Sequence, residues 1–108
     1  MAQHYMIQAS YTPEAWAGMI KRPQDRARAV RDTVKKMRGK MLSFHYAFGE
    51  HDAIVLAELP NNEAAAAVGM AAAAGGGVRS VKTTVLMTAA EGLSAMRKAK
   101  STGYVAPK

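Results

Sequence analysis

Apolar and polar residues alternate in four stretches of the chain, and apolar residues fall at helical spacing between them. His4 to Tyr11 sets Tyr5, Ile7, Ala9 and Tyr11 on one side and His4, Met6, Gln8 and Ser10 on the other, the period of a strand. Met41 to Leu59 reads as two strands around a tight turn, with Phe44, Tyr46, Phe48, Val55, Ala57 and Leu59 in alternation. Val78 to Met87 is a fourth strand, with Val81, Thr83, Val85 and Met87 opposed to Ser80, Lys82, Thr84 and Leu86. The central hairpin is the stretch around which the rest is organised. Gly49 and Asp52 bracket Glu50-His51; glycine frees the backbone to reverse and Asp can bond back onto the turn. With Glu50-His51 at the turn centre, Leu42 faces Leu59, Phe44 faces Ala57 and Tyr46 faces Val55. The opposite face then pairs Ala47 with Ile54, His45 with Leu56 and Ser43 with Glu58, a mixed surface suited to a cavity wall or an interface.

Helices fill the intervals. Thr12-Pro13-Glu14 is a helix start, with Thr as cap, Pro at the first helical position and Glu against the positive helix end. Ala15, Trp16, Met19 and Ile20 give its apolar stripe, and Pro23 interrupts it and can open the next helix. Residues 24–38 continue as an amphipathic helix with Ala27, Val30, Val34 and Met37 inward and Arg28, Asp32 and Lys36 paired outside. Gly39 ends it as a left-handed cap. After Pro60, Asn61 caps an alanine-rich helix from Ala64 to Ala74, closed by Gly75-Gly76-Gly77. These glycines follow a helix and lack a Lys-Ser/Thr ending, so they are not a phosphate loop. Thr88 and Glu91 have capping-box spacing and start a terminal helix with Leu93 and Met96 inward.

The order is strand, helix, strand, strand, helix, strand: an α+β, ferredoxin-like βαββαβ plan, with a four-stranded antiparallel sheet and helices on one face. The other face is left bare, and its strands are not polar enough to meet water. A second copy of the chain is expected to cover it, most simply about a two-fold axis. Residues 1–100 make a single domain and 101–108 a flexible basic tail.

Composition narrows the function. The 108 residues contain no cysteine, so thiolate metal sites, cysteine nucleophiles and disulfides are excluded. No apolar run approaches a bilayer span and no secretion signal opens the chain, so a soluble, cytoplasmic protein is expected. The net charge is +7, and Lys21 to Lys40, with nine basic and two acidic residues, supplies the excess. A basic helix of this kind attracts nucleic acid or anionic ligands, or is simply a solvated face.

Tyr11-Thr12-Pro13-Glu14, Arg26, Gly39-Lys40-Met41-Leu42, Phe48-Gly49-Glu50-His51-Asp52 and Gly77-Val78-Arg79-Ser80 form a set of short motifs. In these the chain resembles the GYD-domain family, small bacterial and archaeal proteins of the dimeric α/β-barrel group. Gly49 and Asp52 of the name-giving triplet stand, with His51 where Tyr is usual. Ala15 replaces a common glycine, and Arg38 replaces one of a glycine pair. The resemblance implies a dimeric α/β-barrel assembly, a homo-oligomer of dimers or larger. It implies no settled activity, because the wider group holds cofactor-independent monooxygenases, haem enzymes and plain binding modules.

The candidate ligand-binding residues are Tyr5, Arg26, Ser43, His45, Tyr46, His51, Asp52 and Glu58, with Gly49, Glu50, His51 and Asp52 as the turn motif. Arg26 lies at the edge of the apolar stripe, where it either reaches toward Asp52 or Glu58 or packs its stem with its head in solvent. His45 is the candidate acid-base group, with Ser43 and Glu58 beside it; nothing supplies an oxyanion hole for a hydrolytic triad. No histidine pair has zinc spacing, and neither metal nor cofactor is expected. The expected function is a small oligomeric ligand-binding or assembly module, with a possible anionic ligand. The alternatives are a cofactor-independent oxygenase or isomerase using His45, and nucleic-acid binding through residues 21–40; neither nucleic acid nor membrane is the favoured partner.

Overall fold

The computed structural model describes residues 2–108. The element order is β1 (Gln3–Tyr11), α1 (Pro13–Lys21), α2 (Arg26–Lys36), β2 (Lys40–Tyr46), β3 (Ala53–Leu59), α3 (Asn62–Ala74), β4 (Val78–Leu86) and α4 (Ala89–Lys100). The sheet runs β2-β3-β1-β4 and every neighbouring pair is antiparallel. This is the expected ferredoxin-like α+β fold.

Cap chemistry sets the helix starts. Thr12 accepts from the Ala15 N–H, Asn61 from Ala64, and Thr88 with Glu91 forms the reciprocal capping box. The first helical region is two helices, and Asp25, rather than Pro23, caps the second by accepting from the Arg28 N–H. The expected outer pairs of α2 do not form: among the described residues, ion pairs within 4.0 Å involve only histidines.

The register of the hairpin differs from the expected one by two residues. Phe44 faces Val55, His45 faces Ile54, Tyr46 faces Ala53 and Ser43 faces Leu56. A register shift between Met41 and Ser43 then places Met41 opposite Ala57. The extra residue is Leu42, which is exposed, while Met41 packs on the core in its stead; a bulge admits one unpaired residue and changes which side chains turn inward beyond it. Glu58 faces Lys40, not Ser43.

The core lies on the helix-covered face: Tyr5, Ile7, Val55, Ala57 and Leu59 from the central strands meet Val34 of α2 and Ala65 and Val68 of α3. Residues of the open face form rows across the sheet. One row is Ser43, Leu56, Met6 and Thr84, and the next is His45, Ile54, Gln8 and Lys82. That face is amphipathic, more polar than its strands suggest in isolation.

Neither α1 nor α4 buries a residue. Leu93 and Met96, expected inward, are 48% and 70% exposed. With α4 standing off the body, the radius of gyration is 17.1 Å, against about 13 Å for a compact 100-residue domain. Residues 103–108 form neither helix nor strand.

Gly39 is required for a reason other than the expected cap. Positive φ falls on Arg38, at 61°, and a Cβ on Gly39 would lie 2.5 Å from the Glu58 carbonyl oxygen and 2.5 Å from Leu59 Cδ2. The glycine lets the end of α2 press against β3, and the arginine carries the backbone strain. Gly39→Ala is therefore expected to destabilise the fold by about 1–3 kcal/mol, and Arg38→Gly to stabilise it by up to about 1 kcal/mol. Urea unfolding of the two variants checks the opposite signs; equal shifts in the same direction would refute the division of roles.

Candidate functional site

Beyond the pair Ala9–Ala53, β1 loses its strand neighbour and the β2–β3 loop takes over. Asp52 donates its N–H to the Ala9 carbonyl at 2.9 Å, and its Oδ2 accepts from the Tyr11 N–H at 2.9 Å. The same oxygen accepts from Trp16 Nε1 at 3.4 Å. One carboxylate thus extends the hydrogen bonding of β1 and moors the first turn of α1. The β1–β4 register shifts between Ser10 and Tyr11, where the side chain supplies what the ladder does not. The loop grips the strand on its other side too. The Ser10 hydroxyl donates to the Glu50 carbonyl at 3.1 Å and lies 3.5 Å from His51 Nδ1. Opposite the loop, the Thr12 N–H donates to the Gly77 carbonyl at 3.0 Å and ties α1 to the start of β4.

An aromatic chain grows from this anchor. Tyr11 and Trp16 meet edge-on with centroids 5.2 Å apart, Trp16 and Tyr46 are 6.3 Å apart, and Tyr46 and Phe44 are 5.2 Å apart. Such pairs add about 0.5–1.5 kcal/mol each beyond their buried area.

Behind Tyr11 opens a cavity of about 510 Å3 between α1, α2, the α3 end and the helix-covered face of the sheet. Small residues create it: Ala9 and Ala53 on the sheet, Ala29 on α2 and Ala71 and Ala72 on α3 leave volume that larger side chains would fill. Its polar lining is confined to Tyr11, Arg22, Gln24, Arg26 and Thr33. The Thr33 hydroxyl donates to the Ala29 carbonyl within its own helix. Arg26 Nη1 donates to Gln24 Oε1 at 3.3 Å. No carboxylate lines the cavity. Tyr11 is 7% exposed. Burial pushes its phenol above the ordinary value, the neighbouring Tyr46 and Asp52 act in the same sense, and the Arg26 guanidinium pulls it part of the way back. The phenol is therefore protonated throughout the neutral range.

The expected site residues divide among four places. Arg26 alone lines the cavity, and it pairs with neither Asp52 nor Glu58, since Glu58 lies 3.4 Å from His4. Tyr46, His51 and Asp52 belong to the anchor beside the cavity, as do the turn residues Gly49 and Glu50. Ser43 and His45 lie on the open face of β2, and Glu58 sits farther along β3, so the expected Ser43-His45-Glu58 constellation is not assembled. The Ser43 hydroxyl is enclosed without a hydrogen-bond partner. Tyr5 is a core residue whose hydroxyl donates to Asn62 Oδ1 at 2.6 Å. Sequence reasoning missed Tyr11, Trp16, Arg22 and Gln24; the alternation that put Tyr11 on the side of Tyr5 and Ile7 was the available signal. Among the described residues, no three His, Cys, Asp or Glu cluster as metal ligands.

Fold and site together define a ferredoxin-like α+β domain with an apolar, arginine-edged cavity under its helices. The GYD domain family model matches residues 5–96, and the chain belongs to the GYD-domain family. Comparison with curated proteins gives no match. Among solved structures, the chain is similar to the crystal structure of MtbAldR, with a TM-score of 0.58 and 12% identity. That similarity covers 82% of this chain and 55% of the other, and at this identity it shows the fold alone. Among the described residues, no helix is long and apolar enough to cross a membrane.

Removing the Asp52 carboxylate leaves the Tyr11 N–H and the Trp16 indole without their acceptor. Asp52→Ala is expected to cost about 1–3 kcal/mol of stability and to shift Trp16 fluorescence as α1 comes free of the sheet. Unchanged denaturation and emission would show that the anchor contributes nothing.

Proposed function

We propose that the protein is a cytoplasmic, homo-oligomeric module that binds a small molecule between its sheet and its helices. The cavity carries this reading. Its volume of about 510 Å3 falls within the range of roughly 300–1,000 Å3 typical of small-molecule sites, and it joins an apolar lining to a few convergent polar groups. The cleft is open to solvent along Gly18, Arg22 and Ala71, so a small molecule can enter it and cover the apolar wall behind. The open face of the sheet suits a second copy. Met6, Ile54 and Leu56 lie together on the two central strands, half-buried, on the face away from the core helices α2 and α3. Covering them by self-association about a two-fold axis satisfies both subunits at once.

The oxygenase or isomerase reading draws no support from the site, because His45 stands on the opposite side of the sheet from the cavity. Nucleic-acid binding through the α2 region rests on charge alone, and its signature would be duplex affinity that falls steeply with salt.

The neutral dye Nile red is expected to bind the wild-type protein, and Ala71→Phe, which projects a ring into the cavity, is expected to weaken binding at least tenfold with unchanged circular dichroism. Binding indifferent to Ala71→Phe would remove the cavity from consideration. Sedimentation at micromolar concentration is expected to give a particle of twice the 11.5 kDa chain mass. Leu56→Glu should convert it to a monomer, because burying an unpaired carboxylate costs several kcal/mol. A folded wild-type monomer would rule out the shared face.

A further inference from the structure

We propose that the cavity selects a small amphipathic carboxylic acid, with its apolar body against the sheet and its carboxylate at Arg26 and the Tyr11 hydroxyl. This deepens the ligand-binding reading and rests on it. Three observations carry the choice of ligand class. Charge comes first: the ionisable side chains lining the cavity are Tyr11, Arg22 and Arg26, with no carboxylate among them. Arg26 is also uncommitted, because no acidic side chain lies within 4.0 Å of it among the described residues. It spends one N–H on Gln24, and a guanidinium has five to offer in a planar fork that matches a carboxylate. Arg26 is half-buried at the edge of the apolar surface, so its stem packs while its head keeps donors free for an anionic group.

The division of the lining is the third observation. Ile7, Phe44, Val55, Val68 and Val81 form an apolar floor and wall, while Arg22, Gln24 and Arg26 cluster at the α1–α2 connection. A ligand polar throughout would leave its groups unpaired against that floor, and a hydrocarbon would make no use of the Arg26 donors. A molecule with one anionic end satisfies both. Tyr11 completes the polar end. Its phenol is held protonated by burial, so it keeps a proton to donate while its oxygen faces the guanidinium. One guanidinium and one phenol suit a monoanion; a phosphate monoester, with a second charge and a third terminal oxygen, asks for more donors than the exposed Arg22 adds.

Displacement of Nile red from the wild-type protein by octanoate, octanol and octyl phosphate tests the inference. These share one tail and differ in head group. Octanoate is expected to compete on the order of tenfold to a hundredfold more tightly than octanol, the difference expected of a charge-assisted contact. Arg26→Gln should abolish that difference, octanoate and octanol displacing the dye equally from the same variant. Arg26→Lys, which keeps the charge without the fork, should restore part of it; this variant also serves if Arg26→Gln folds poorly. Equal displacement by octanoate and octanol, with Nile red still bound, would overturn the ligand class and leave the cavity reading intact. Octyl phosphate displacing the dye more than tenfold better than octanoate would overturn the carboxylate in favour of a phosphate ester. Failure of Nile red to bind at all would overturn the cavity reading itself.

Discussion

The Asp52 carboxylate sits where β1 leaves the sheet, and the arrangement of the helix layer depends on it. Its Oδ2 holds the Tyr11 N–H and the Trp16 indole together. Charged acceptors make the stronger hydrogen bonds of proteins, and this one acts at a point where the regular ladder has ended. The start of α1 is fixed from both sides, by Asp52 and by the Thr12–Gly77 backbone bond. Its remaining length buries nothing. A helix pinned at one end, over a sheet floored by alanines, stands above the floor instead of sinking onto it. The cavity is the consequence of that geometry: Ala9 and Ala53 are too short to reach α1, and Ala71, Ala72 and Gly75 are too short to close the side.

The GYD-type turn motif acquires a physical meaning from the same contacts. Residues of the Phe48 to Asp52 loop do not converge on a reacting atom. They clasp the end of β1 through the Glu50 carbonyl, the His51 ring and both the backbone and side chain of Asp52. The loop is a clamp whose working product is the position of Tyr11 and Trp16. Substitution of His for the usual Tyr at position 51 is compatible with this, because the side chain that organises the neighbourhood is that of Asp52.

The elements were legible in the sequence because each is declared by local chemistry. Alternation marks β1, β3 and β4, and Thr12, Asn61 and the Thr88–Glu91 pair announce helix starts by groups that bond within three residues. The hairpin register was not legible in full. Its faces could be sorted by parity, but nothing in Met41-Leu42-Ser43 signals which residue is the extra one. The site was less legible still. Histidine drew attention to His45 by its chemistry, whereas the cavity is made by residues with almost no side chain, and a missing volume leaves no periodic trace. Arg26 was recognisable from its position at the margin of the apolar stripe of α2. Leu93 and Met96 show the opposite failure. Their spacing is amphipathic, yet α4 buries no residue within its own chain.

The two faces of the sheet present different side chains of a single set of strands. On β3, Ala53 and Val55 face the cavity while Ile54 and Leu56 face outward, and on β1 Ile7 and Ala9 alternate with Met6 and Gln8. No side chain serves both faces, so the proposed ligand site and the proposed self-association surface can vary independently in sequence. The exposed aromatic Phe48 stands at the tip of the loop that carries Asp52. That loop reaches the cavity wall only through its hold on the end of β1, by the Glu50 carbonyl, the His51 ring and Asp52, so the position of Tyr11 is the link between the turn and the cleft.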